Sequence, residues 1–173
     1  MEKTLSILFL ILGIGMNAQE SLDELLKRHN QNKVPYITAE ELAMPKTNAI
    51  LLDAREPSEY ATSHLKDAIY VGYDHFSLDS ISQKLPEKDQ SIVVYCSLGI
   101  RSETIADRMK KAGYTDVQNL YGGIFEWKNK EFPVYNSEGR ETDSIHTYSK
   151  AWSKWLKNGI KVFEKDSLAE QKK

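Results

Sequence analysis

The chain has 173 residues, of which 40% are hydrophobic and 28% charged, a composition that suits one folded domain with a tail and excludes a disordered chain. Lys and Arg number 23 against 25 acidic residues, a formal net charge of −2, so the strongly basic balance of a general nucleic-acid binder is absent. A single cysteine rules out an internal disulfide framework and any zinc site built from several thiolates.

Residues 1–18 read as a secretory signal. Lys3 supplies positive charge, residues 5–16 are apolar apart from Ser6, Gly13 and Gly15, and Ala18 precedes the polar Gln19-Glu20-Ser21. The apolar run is shorter than the ~20 residues a membrane span needs. Cleavage after Ala18 is therefore expected, with Met16 standing where a small residue is usual, and the mature protein is expected to be periplasmic or extracellular without a stable membrane span. A helical segment follows at 19–35. Leu22, Leu25 and Leu26 share one face of a helix over 20–32, Ser21 is its N-cap, and residues 34–37 are extended around Pro35. Thr38 and Glu41 form the capping box of a short helix at 39–43.

From there strands and helices alternate. Residues 49–52 are a short continuous apolar run, the pattern of a strand buried on both faces, and 69–71 are a second. Helical spacing covers 78–85. Residues 91–95 are the strongest strand in the chain, and 102–112 an amphipathic helix with Ile105, Ala106, Met109 and Ala112 on one face and Gly113 as its stop. A strand is expected at 117–120, then a short helix opened by Gly122-Gly123 and ended by Pro133. This alternation predicts an α/β domain with a mainly parallel sheet, whose chemistry belongs at the carboxyl ends of the strands. Residues 136–143 read as a polar link within a C-terminal extension, 136–173. A helix is expected at 147–157 with Trp152, Trp155 and Leu156 along the side that packs on the domain. Asn158-Gly159 is expected to turn into a strand at 160–163, and the last residues, 166–173, to be frayed.

The chemistry is concentrated at Cys96-Ser97-Leu98-Gly99-Ile100-Arg101-Ser102. The cysteine stands where the best buried strand ends, and a short glycine-containing loop separates it from a helix. Such a loop turns backbone N–H groups inward as an anion-binding nest, and the helix N-terminus adds positive potential. A thiol so placed titrates well below its free value, at ~3.5–7.5 instead of ~8.5, and Arg101 adds a permanent cation. An inert buried cysteine at a strand end is the competing reading; the order strand, Cys, glycine loop, Arg, helix argues against it.

These residues resemble the active-site loop of the rhodanese-like domain family, Cys-x-x-Gly-x-Arg-Ser. The resemblance extends to Asp53-Ala54-Arg55 followed by Glu59-Tyr60, to Ser63-His64-Leu65-Lys66-Asp67-Ala68, where Ser63 and Asp67 stand at frequent glycine positions, and to Gly122-Gly123-Ile124-Phe125-Glu126-Trp127 with Pro133-Val134 after it. It covers residues 36–135 and implies a five-stranded, mainly parallel sheet with helices on both faces. It further implies a sulfurtransferase. Cys96 takes a sulfur from a small anionic donor such as thiosulfate, holds it as a persulfide and passes it to cyanide or a thiol, with no metal or organic cofactor. The loop from Ser97 through Leu98, Gly99 and Ile100 to Arg101 and Ser102 would bind the anion. Asp53 and Arg55 are expected either to form an ion pair supporting the loop, with Arg55 helping to attract the anion, or to be structural only. His64 is a weaker candidate for orienting a loop, and His29, His75 and His146 are expected at the surface.

Two other functions compete. A Cys-dependent phosphatase or arsenate enzyme uses the same device but usually places five residues between Cys and Arg; here there are four, Ser97 to Ile100. A non-enzymatic module for sulfur carriage or partner binding commonly lacks the cysteine, which is present here.

Overall fold

Residues 91–95, the strongest strand predicted from the sequence, form the middle strand of the main sheet. The computed structural model describes residues 20–163; the signal-like segment at 1–18 and the frayed end expected at 166–173 lie outside the described residues. In chain order the elements are α1 (Leu22–His29), β1 (Tyr36–Ile37), α2 (Ala39–Leu42), β2 (Ile50–Asp53), α3 (Pro57–Thr62), β3 (Ile69–Tyr70), α4 (Leu78–Lys84), β4 (Ser91–Tyr95), α5 (Arg101–Lys111), β5 (Asp116–Leu120) and α6 (Gly123–Asn129). β6 (Val134–Tyr135) comes next, and the C-terminal extension follows with β7 (Glu141–Thr142), β8 (Ser144–His146), α7 (Lys150–Ser153) and β9 (Ile160–Val162).

The main sheet has the order β1-β5-β4-β2-β3, and all four of its pairings are parallel. Side chains alternate across a strand, and on β4 both sets are enclosed. Val93 and Tyr95 face a core built with Leu25 of α1, Leu42 of α2, Ile124 and Phe125 of α6, and Trp155 and Leu156 of the extension. Ile92 and Val94 face a second core with Ile81 of α4 and Ile105, Ala106 and Met109 of α5. Helices therefore cover both faces, which is why β4 carries no polar alternation. Register pairs Asp53 with Tyr95 and Val94 with Asn119, so Asp53, Cys96 and Asn119 arrive at one edge of the sheet.

The departures from expectation lie at the two ends. α1 stops at His29 because Glu103, at the start of α5, accepts hydrogen bonds from the N–H groups of Gln31 and Lys33 and draws the chain off the helix axis. The polar link turns at Gly139, φ +72°, and its β7 pairs antiparallel with β6 just before it. The helix expected at 147–157 is confined to Lys150–Ser153. Before it, the Thr147 N–H bonds to Val162 O and Tyr148 takes φ +61°, a left-handed conformation that no α-helix accommodates. β9 forms as predicted, but it pairs parallel with β8, so Asn158-Gly159 does not close a hairpin. His146, expected at the surface, is buried at the end of β8, where its Nδ1 accepts the Tyr148 N–H at 3.2 Å.

Candidate active site

The loop after β4 is shaped by what its carbonyls do. The Ile124 N–H donates to Cys96 O at 2.9 Å and the Phe125 N–H to Ser97 O at 3.1 Å. The start of α6 thus satisfies the outer side of the loop. The approach is close enough to require glycine: Gly123 has φ +55°, and a Cβ there would lie 2.2 Å from Cys96 O and 2.7 Å from Ser97 C. Gly99 O is held by two buried carboxamides, Asn30 Nδ2 and Asn119 Nδ2, each at 2.8 Å. With these carbonyls fixed outward, the Gly99 N–H points at Cys96 Sγ, 3.2 Å away. Ser102 Oγ lies 3.4 Å from Sγ and 2.7 Å from Asn119 Oδ1. Because Asn119 Nδ2 is committed to Gly99, its Oδ1 is an acceptor only. The Ser102 hydroxyl therefore has one proton for two takers, and a thiolate competes for it where a thiol does not.

Cys96 is buried. Burial, the largest single influence, pushes its thiol up. The Arg101 charge, the Ser102 hydroxyl and the N–H groups of Ser102 and Leu98 together outweigh that penalty, and the thiol titrates below its ordinary value. The rate of Cys96 alkylation against pH is accordingly expected to show a midpoint below the free-thiol value of ~8.5; a midpoint at or above it contradicts the activation of this thiol.

Arg101 does not stand alone. Its Nη1 and Nη2 bind the two carboxylate oxygens of Glu59, each at 2.7 Å. Nη2 also donates to Ser97 Oγ at 3.0 Å, while Ser97 Oγ donates to Glu59 at 2.8 Å. Burial pushes the Glu59 carboxyl up, but Arg101, the Glu56 N–H and Arg55 pull it further down, so it is ionised at neutral pH. The cation that closes the loop is thus held in a two-pronged pair with a buried carboxylate. Asp53 and Arg55 form the expected ion pair, with Arg55 Nη2 2.7 Å from Asp53 Oδ2 and both side chains fully enclosed. Arg55 also donates to Ser63 O and lies beside the Tyr95 ring. It therefore braces the strand end under Cys96 and is not part of the cavity wall. His64 stacks on Tyr60, centroids 4.2 Å apart, and its backbone pairs with Tyr135. It ties β6 to α3 and is not among the residues that line the cavity over the thiol.

A cavity of about 200 Å³ opens over the thiol, lined by Cys96, Ser97, Leu98, Ile100, Arg101, Tyr148 and Trp152. The predicted loop residues are together in it or directly behind it. Sequence reasoning missed Glu59, Asn30, Asn119 and the two aromatic walls from the extension. Of these, Glu59 alone carried a signal, its place in the Glu59-Tyr60 pair of the resemblance; Asn119 stands on β5 directly after Gln118, so its carboxamide was not distinctive. Among the described residues, no group of three His, Cys, Asp or Glu is placed to hold a metal ion, and no helix is long and apolar enough to cross a membrane.

A lone cysteine in an amide-lined loop between a central parallel strand and a helix defines an α/β protein with its one thiol at the carboxyl edge of its sheet. The chain belongs to the rhodanese-like domain family, whose model matches residues 38–130. It is 30% identical over 125 residues to the tRNA uridine(34) hydroxylase of Onion yellows phytoplasma, a match covering 66% of this chain and 37% of that protein. It is 28% identical over 96 residues to the thiosulfate sulfurtransferase GlpE of Coxiella burnetii, covering 56% of this chain and 86% of GlpE. Among solved structures, a rhodanese-related protein from Thermoplasma volcanium superposes with a TM-score of 0.51 at 25% identity, over 58% of this chain and 97% of that one.

Proposed function

We propose that the protein is a sulfurtransferase that works through a persulfide on Cys96. The observation that carries this reading is the Sγ atom at the base of an open cavity, facing the Gly99 N–H and the Ser102 hydroxyl. In the first half-reaction the thiolate attacks the outer sulfur of a donor, thiosulfate for example. The donor's S–S bond breaks, its electron pair leaves with the departing fragment, and Cys96 keeps the sulfur. In the second, cyanide or an acceptor thiol attacks that outer sulfur and Cys96 departs as a thiolate. The inward amides stabilise the anionic sulfur in both states, as an oxyanion hole does. The Arg101–Glu59 pair holds the loop in that shape and keeps one cation beside the sulfur.

Four intervening residues make a nest closed around one sulfur atom, and Glu59, whose carboxylate contacts the loop, is engaged by Arg101 and Ser97. Neither feature favours phosphate-ester cleavage. The test is turnover of a sulfane donor with cyanide as acceptor. Turnover is expected in the native protein and absent in Cys96→Ser; equal rates in the two would remove Cys96 from the chemistry.

A further inference from the structure

Two side chains over the thiol come from outside residues 38–130 that match the family model. Tyr148 and Trp152 line the cavity with Leu98 and Ile100. Their segment is firmly docked. Trp155 and Leu156 are buried in the core beneath it. The Asn129 side chain binds Trp155 O at 2.9 Å and the Lys157 N–H at 2.7 Å, and Ser149 caps α7. Trp152 meets the His29 ring of α1 edge-on, centroids 6.1 Å apart. Tyr148 holds a left-handed backbone, φ +61°, and leaves 59% of its surface exposed, with its ring 5.4 Å from the Arg101 guanidinium. An exposed aromatic residue held in a left-handed conformation that side chains disfavour is gaining nothing for the core, which points to a role at the site.

The charge balance of the cavity agrees. Its single cationic side chain, Arg101, has both terminal nitrogens on Glu59, so a compact inorganic dianion meets no unpaired cation among the lining residues. The walls it meets instead are apolar and aromatic. A cavity of about 150 Å³ lined by apolar side chains holds a benzene ring, and the volume here is about 200 Å³, room for one ring and a sulfur-bearing group.

Building on the sulfur-transfer reading above, we propose that Tyr148 and Trp152 are specificity residues that select a low-molecular-weight organic sulfur donor, with an apolar or aromatic body, over inorganic thiosulfate. For an aromatic thiosulfonate the step balances without a further reactant. The Cys96 thiolate attacks the terminal sulfur of ArSO2–S⁻, the S–S bond breaks, and the sulfinate ArSO2⁻ leaves with the electron pair, giving Cys96–S–S⁻.

The test compares kcat/KM for benzenethiosulfonate, methanethiosulfonate and thiosulfate, with cyanide as acceptor, in the full chain and in Trp152→Ala, Trp152→Phe and Tyr148→Ala. The native protein is expected to prefer the phenyl donor over the methyl donor about tenfold, the scale of a favourable aromatic contact, and to use thiosulfate least. Trp152→Ala is expected to reduce the phenyl-to-methyl ratio to about twofold or less, and Trp152→Phe to restore most of it. Tyr148→Ala removes a mostly exposed ring and no core packing, so it reads the same ratio even where Trp152→Ala is poorly folded. Turnover of all three donors with thiosulfate preferred, or with a ratio unmoved by both alanine variants, overturns the inference alone. No turnover with any of the three overturns the sulfur-transfer reading and this inference with it.

Discussion

Glu59→Gln is expected to destabilise the protein by about 3 kcal/mol, the lower end of the range for breaking a buried ion pair by removing one partner. The lower end applies because the Arg101 side chain keeps 20% exposure while Glu59 keeps 1%, so water compensates part of the orphaned charge. Gln retains one carbonyl oxygen for Arg101 or Ser97 but not both, and the three-way arrangement of Glu59, Ser97 and Arg101 opens. The pH dependence follows from the direction of the shift. Folding holds the Glu59 carboxyl below its unfolded value, so the stabilisation is complete above the unfolded carboxylate range of ~4.3 and is lost as pH falls through the folded value. The native protein and Glu59→Gln should therefore differ fully in urea midpoint at neutral pH and converge in acid. A difference that persists unchanged below the folded pKa would show that the charge is not what Glu59 contributes.

Gly123→Ala is expected to damage the site as well as the fold. The left-handed φ of +55° costs an alanine about 1–2 kcal/mol, and overlap with backbone at 2.2 Å adds about 1–3 kcal/mol of overpacking. The strain has one outlet, retreat of α6 from the loop, and that breaks the Ile124 and Phe125 N–H bonds to the Cys96 and Ser97 carbonyls. Released carbonyls let the loop turn, and the Gly99 N–H no longer faces Sγ. Gly139→Ala is the matched control. It also has positive φ, but nothing lies within 4 Å of a Cβ there, so it carries only the handedness cost. Urea unfolding and the alkylation midpoint of Cys96 separate the two. Gly123→Ala is expected to lose more stability and to raise the thiol midpoint toward ~8.5, with Gly139→Ala unchanged in the second reading. Equal behaviour of the two variants would mean that α6 does not shape the loop.

Features encoded within a few residues of one another were legible before the structure. The run from Ile92 to Tyr95 reads as a doubly buried strand because every position must meet a core, and it does. Ser21 and Thr38 read as caps, and each receives the N–H of the glutamate three residues on. The cysteine loop is contiguous, so its nest could be inferred from spacing alone. The contact of Glu59 with Arg101 could not be inferred, because the two lie 42 residues apart and only the fold brings α3 to the loop. Asn30, Tyr148 and Trp152 share that property. The extension misled for another reason. Trp152, Trp155 and Leu156 have helical spacing, but Trp155 and Leu156 are buried just beyond a one-turn helix. Apolar spacing reports which residues are buried and not the path the backbone takes between them. His146 shows the same limit, since a polar neighbourhood in sequence gave no sign of its place against α3.

The most direct measurement is the intact mass of the purified protein after brief exposure to an excess of sulfane donor, then again after cyanide. A gain of one sulfur atom, removed by cyanide and absent in Cys96→Ser, is the predicted result. An unchanged mass with donors of every class, on a protein whose Cys96 alkylates readily at neutral pH, would contradict sulfur transfer through this residue.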